Sequence, residues 1–268
     1  MNRVTAQFDR LRAEQRRGLA PFVVAGRPGL DRLGAMLRAL EAAGATMVEI
    51  GVPFSDPIAD GPVIAAAMHR ALAGGVTTTG VFDAIARARQ GVTIPLVAMV
   101  SVSIVLRLDA EAFCRRAAES GVDGLIVPDA PVDEAKPIRA AAAAAGLTYS
   151  HLIGPATTGD RLARIVEAST GFIYLLARTG VTGERAEAPE IAGRVRDIRT
   201  LTDLPIACGF GISSPEQVGA VVRHADAAIV GSALVRRIEE ALEAGVDAGK
   251  TAADVVGRLA GGLDSADS

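Results

Sequence analysis

Lysine is nearly missing from this 268-residue chain: Lys136 and Lys250 stand against 26 arginines. Tryptophan is absent, and seven Phe with two Tyr bring the aromatics to only 3%. Two cysteines, Cys114 and Cys208, are too few for a disulfide framework and point to a reduced, cytoplasmic setting. The three histidines, His69, His151 and His224, show no metal-ligand spacing, so no metal site is expected. No apolar run reaches the roughly 18 residues of a membrane span. The charged N-terminus lacks the apolar stretch of a signal peptide. A net charge of −3 and a pI near 5.7 leave no basic footprint for nucleic acid. What is there is a chain 50% hydrophobic, with a mean hydropathy of +0.32 and ample material for a core.

A regular beat runs through it: a short apolar run, a Gly/Pro/Asp-rich loop, then an Ala/Arg-rich helical stretch. The runs are Leu19–Ala25, Met47–Val52, Ile94–Val100, Gly124–Pro128, Thr148–Ile153, Phe172–Ala177, Leu204–Gly209 and Ala227–Gly231. They are apolar throughout rather than alternating, as in parallel strands covered on both faces. Eight such units in one chain of this length predict a single (β/α)8 barrel domain over residues 1–268, with a doubly wound sheet as the rival. Leu30, Leu33, Leu37 and Leu40 share one helix face within 30–43. Ser213-Ser214-Pro215-Glu216 reads as a helix start, and Gly146 as a helix stop after the alanine run 140–145. Residues 2–16 predict an extra amphipathic helix covering the barrel bottom, and the tail after Gly261 reads as frayed.

Barrel enzymes carry their chemistry on the loops that follow the strands. Glu49 is a carboxylate inside an apolar run, where burial raises its pKa unless a cation pairs with it. It is either ion-paired to an Arg on a neighbouring strand or an acid–base group. Asp60 follows in a loop of Asp-Pro and Asp-Gly steps, which are also ordinary turn chemistry. Gly-rich segments follow the last three runs: 179–183, 209–214 and 230–233. Loops in these positions offer backbone N–H groups to a phosphate. Both lysines fall in expected helices, which removes Schiff-base and pyridoxal chemistry. His69 and His224 also fall on expected helices, and His151 on the fifth run. The pattern predicts carboxylate acid–base chemistry on a phosphorylated substrate, without a cofactor.

The segment Val-Glu-Ile-Gly-Val-Pro-Phe-Ser-Asp-Pro-Ile-Ala-Asp-Gly-Pro at 48–62 strongly resembles the signature of the tryptophan synthase α subunit family. Pro21-Phe22, Arg178-Thr-Gly-Val-Thr-Gly183 and Gly209-Phe-Gly-Ile-Ser-Ser-Pro-Glu-Gln217 match the same family in the same order. The resemblance implies a (β/α)8 barrel that cleaves indole-3-glycerol phosphate to indole and glyceraldehyde 3-phosphate. It implies that Glu49 is the acid–base group and that Asp60 accepts a hydrogen bond from the indole N–H. Phe22, Ser101, Tyr174, Thr182 and Phe210 fall at substrate-facing positions; Gly183, Gly211, Gly231 and Ser232 match the phosphate-binding ones. It also implies a pyridoxal-dependent β subunit as partner in an α2β2 tetramer.

Three stretches depart from the family pattern. Ser101 and Ser103 stand where the family usually has a Tyr and an Asn, near the pocket and the β interface. Ala65-Ala66-Ala67-Met68 replaces a more polar pattern, and Pro128 a small residue. They keep two other readings open: a free-standing lyase-like paralogue with an altered pocket, and a ligand-binding regulatory partner of a β subunit.

Overall fold

The computed structural model describes residues 1–57, 60–177, 191–209 and 211–264. The eight apolar runs become nine strands: β1 (Gly18–Val24), β2 (Val48–Gly51), β3 (Leu96–Met99), β4 (Gly124–Ile126), β5 (Thr148–Tyr149), β6 (Leu152–Ile153), β7 (Ile173–Leu176), β8 (Ile206–Gly209) and β9 (Ala227–Val230). The additional strand arises because Ser150 and His151 interrupt the fifth run. All pairings are parallel, in the order β5-β4-β3-β2-β1-β9-β8-β7-β6. The two ends of that order are the two halves of one chain segment. Ser150 N donates to Leu125 O on the β4 side (3.0 Å), and Tyr174 N donates to His151 O on the β7 side (3.1 Å). The chain therefore steps from one neighbour to the other and closes the (β/α)8 ring.

Successive side chains on a strand point to opposite faces. Ala20, Met47, Val97, Ile126, Tyr174, Ala207 and Ile229 fill the barrel interior. Their neighbours Leu19, Val48, Leu96, Leu125, Ile173 and Ile206 pack outward in the larger core shared with the helices. Glu49 has the parity of Met47 and belongs to the interior.

The helix expected over 30–43 runs over Leu33–Ala42; Leu30 sits in the turn before it and still packs on the core. Arg32 N donates to Gly29 O there, a local turn that delays the helix. Ser214 caps the helix Pro215–Val222 by accepting from Gln217 N, while Gly146, at φ +75°, follows the helix Lys136–Ala144. Lys136 and Lys250 lie on helices, as expected. His224 does not: it lies in the turn after Val222, and His151 lies in the strand break. Among the described residues, no helix is long and apolar enough to cross a membrane.

The N-terminal helix Arg3–Ala13 seals the bottom of the ring. It buries Val4, Phe8 and Leu11, and the Phe8 ring centroid lies 5.8 Å from that of Phe172. Asp123, just before β4, ties this end together. Its Oδ1 accepts from Arg3 Nη1 (2.9 Å), and its Oδ2 accepts from Arg89 Nη2 (2.7 Å) and Leu96 N (2.9 Å). Arg89 also donates to the carbonyls of Gly121, Val92 and Ile94. Asp123 is 5% exposed at its side chain and Arg3 is 53% exposed, so the two ends of that pair differ in worth. Asp123→Ala leaves the largely enclosed Arg89 charge without its carboxylate and should cost ~3–5 kcal/mol in denaturant unfolding. Arg3→Ala should cost under ~1 kcal/mol. Equal losses from the two variants would refute this ranking.

Candidate active site

The C-terminal mouth of the barrel holds a cavity of about 390 Å³. Phe22 of β1, Asp60, Tyr174 of β7, Gly211, Gly231 and Ser232 all line it. Met99, Pro128, Leu152 and Leu176 give the rest of the wall an apolar character. Two close approaches shape the interior. A Cβ on Gly51 would fall 2.5 Å from Phe22 Cζ, and one on Gly209 would fall 3.0 Å from the Tyr174 hydroxyl. Only residues without a side chain leave room for both rings.

Glu49 pairs in register with Phe22 on one side and Val97 on the other. It does not line the cavity; it is fully buried behind it, and among the described residues neither carboxylate oxygen has a hydrogen-bond partner. The ion-paired reading of Glu49 finds no support in the neighbouring strands: among the described residues no arginine pairs with it. Burial alone pushes its pKa up to about 8, so the carboxyl is mostly protonated near neutral pH. Asp60 is pushed up to about 6, first by burial and then by the charge of Asp129. The Tyr174 phenol is raised well above its ordinary value by burial, with Glu49, Cys208 and Asp60 adding to it, and stays a neutral donor.

The opposite wall offers a different chemistry. Gly231 is the N-cap of the helix Ser232–Glu243 and makes no side-chain cap. The first-turn N–H groups of a helix have no intrahelical partner, and the macrodipole adds positive potential. Gly231, Ser232 and Ala233 all face the cavity, beside Gly211 at φ +81°. That is a cradle for an anion.

Ser101 lies elsewhere. It lines a small adjoining void of about 30 Å³ together with Asp129, sharing Asp60, Met99 and Pro128 with the main cavity. Its hydroxyl donates to Asp129 Oδ2 (2.7 Å) and caps the helix Val102–Arg107, while Val102 N donates to Asp129 Oδ1 (2.8 Å). Thr182, Gly183 and Phe210 lie outside the described residues. Sequence reasoning missed Arg161 and Thr157, which line the cavity from the segment after β6; Arg161 is the one cation on the wall among the described residues. One Arg among 26 carries no signal in sequence. The His151 and Tyr149 rings pack at a tilt of 55° with centroids 4.7 Å apart, and burial lowers the His151 pKa to about 4. No group of metal-ligating side chains occurs among the described residues.

Known proteins resemble this chain in sequence and in fold. The family model for the tryptophan synthase alpha chain matches residues 8–260. A tryptophan synthase alpha chain of Prochlorococcus marinus is 44% identical over 240 residues, covering 89% of this chain and 87% of its own. That of Gluconacetobacter diazotrophicus is 43% identical over 267 residues, covering 99% and 96%. The crystal structure of tryptophan synthase subunit alpha from Legionella pneumophila superposes with a TM-score of 0.91 at 30% identity, covering 98% of this chain and 99% of that one. Similar in sequence and in fold over nearly its whole length, the chain belongs to the tryptophan synthase alpha chain family.

Proposed function

We propose that the cavity binds indole-3-glycerol phosphate and cleaves it to indole and glyceraldehyde 3-phosphate, with Glu49 as the proton shuttle. The chain is a carbon–carbon lyase of tryptophan biosynthesis by its family. The observation that carries the residue roles is a buried Glu49 without a hydrogen-bond partner among the described residues, together with a more acidic Asp60 at one wall and an open helix N-terminus at the other. Asp60, as the anion, accepts the indole N–H and stabilises the positive charge that develops on the ring nitrogen. Glu49, as the acid, delivers its proton to indole C3. The resulting carboxylate then takes the proton of the adjacent glycerol hydroxyl. The carbon–carbon bond breaks, its electrons return to the indole ring, and the aldehyde forms. Glu49 ends protonated, as it began. Phe22 and Tyr174 flank the ring, and Gly211, Gly231 and Ser232 hold the phosphate; Gly183, Thr182 and Phe210, outside the described residues, are assigned to substrate binding by the family resemblance alone.

A β subunit is the partner this reading supplies, in an α2β2 assembly with the indole passed onward. Leu106 and Leu108, 61% and 45% exposed beside the Ser101–Ser103 stretch, support an apolar contact there. Two free, buried cysteines that share no bond fit a cytoplasmic setting. Mixing the chain with its cognate β subunit should give a co-eluting complex and a faster lyase rate. Separate elution at micromolar concentrations with an unchanged rate would argue for a chain acting alone.

Glu49→Gln should abolish cleavage, by at least ~10²-fold in kcat, yet raise Tm. The sign follows from linkage: the unfolded carboxyl ionises near its ordinary pKa while the folded one holds its proton to about 8, so stability falls as pH rises between those values. The Gln variant lacks that loss, and its Tm advantage should grow from pH 5 to pH 8. A kcat within a few-fold of wild type would remove Glu49 from the mechanism.

The same two groups set the pH profile. kcat/KM should rise as Asp60 loses its proton around 6 and fall as Glu49 loses its own around 8. A phosphate ester also titrates near ~6, so the readout is a difference between enzymes. Asp129→Asn removes a like charge from Asp60 and should shift the lower limb to lower pH, leaving the upper limb in place. Coincident lower limbs would show that Asp129 does not act on Asp60.

A further inference from the structure

We propose that Glu239 is a positioning residue that fixes the distance between the indole end and the phosphate end of the cavity; this rests on the substrate assigned above. Glu239 is buried, seven residues into the helix whose first turn faces the cavity. Its Oε1 accepts from Arg27 Nε (2.7 Å), and its Oε2 accepts from Arg27 Nη2 and Arg70 Nη1 (2.7 Å each). Arg27 stands three residues past the end of β1, the strand that carries Phe22. Arg70 stands on the helix Pro62–Ala73, which begins two residues after Asp60. One carboxylate thus joins the three elements that present the ring wall, the indole N–H acceptor and the phosphate cradle.

The geometry explains why a clasp matters there. At 1.5 Å rise per residue, Glu239 lies about 10 Å along its helix from Ser232, and Arg70 about 12 Å along its own from Pro62. Between clasp and cavity lies an apolar layer of Phe22, Val24, Ile64, Met68 and Val235. Apolar contact has no preferred direction, so that layer alone lets the helices slide or rotate. The planar guanidinium of Arg27 meets both carboxylate oxygens in a fixed fork, which sets orientation as well as distance. Arg70 also reaches Glu243 at 3.4 Å, on the same helix one turn further on. A substrate that spans both ends feels any change in their separation; a ligand that occupies one end does not.

The test uses that difference. Glu239→Gln keeps the volume of the side chain and removes its charge. Steady-state cleavage gives KM and kcat for indole-3-glycerol phosphate, and competition gives inhibition constants for glycerol 3-phosphate and for indole, each a probe of one end. The KM for the whole substrate should rise by roughly tenfold or more, because small misplacements are costly for a ligand held at two ends. Each fragment should keep its inhibition constant to within about twofold. Arg70→Gln, which spares the Arg27 fork, should show the same split more weakly and answers the question if Glu239→Gln does not fold. Substrate and fragments weakening together, or a lower Tm with an unchanged KM, would mean the clasp only stabilises the fold and would overturn the proposal. A wild-type chain that binds both fragments yet cleaves nothing would count against the assigned reaction instead.

Discussion

Ring closure across the broken fifth strand governs which side chains meet in this barrel. The two residues between β5 and β6 hand one backbone hydrogen bond to each flank, Ser150 N to β4 and His151 O to β7. With the ring closed, strand parity leaves no freedom: Phe22, Glu49 and Tyr174 must point inward, and their neighbours must face the helices. Closure also makes the interior asymmetric. Phe8 and Phe172 plug the lower end, whereas glycines at 51 and 209 keep space open above. A buried carboxyl and a ligand cavity are thus stacked along one axis, with Glu49 beneath and the cradle at Gly231 and Ser232 above.

Much of this was legible before any coordinates. Apolar runs at even spacing specify covered parallel strands, so the barrel followed from rhythm. Glu49 stood out because a carboxylate in such a run has no cheap explanation. Gly211 and Gly231 stood out through their place after the last strands. The structure added what spacing cannot carry. The break at Ser150 and His151 is invisible because the run stays β-compatible in sequence while its ladder changes partner. The Glu239 clasp is invisible because Arg27, Arg70 and Glu239 are far apart in the chain, and each reads as an ordinary charged position on a loop or helix face. In sequence Ser101 reads as a missing ring near the pocket; the structure adds that its hydroxyl serves Asp129, tying the loops after β3 and β4. That is a local polar contact which a single position cannot announce.

The two carboxyls show how one interior supports opposite proton states. Among the described residues Glu49 has no hydrogen-bond partner, so burial decides and favours the neutral acid near neutral pH. Asp60 sits at the cavity wall, where burial is incomplete and its pKa stays lower despite Asp129. Between about 6 and about 8 one group is an acid and the other an anion. That is the division of labour which the proposed protonation at carbon and charge stabilisation at nitrogen would use. An arginine near Glu49 would have made the barrel easier to fold and would have held the group ionised, unable to give a proton. The absence of a partner for Glu49 among the described residues is therefore a cost to stability that fits the proposed proton shuttle. The ion pairs that do exist are placed where they cannot disturb it. Asp123 with Arg89 lies at the sealed bottom, and Glu239 with Arg27 and Arg70 lies on the outer side of an apolar layer. Fixed charges hold the frame, and the group proposed to change its charge sits where no cation among the described residues pairs with it.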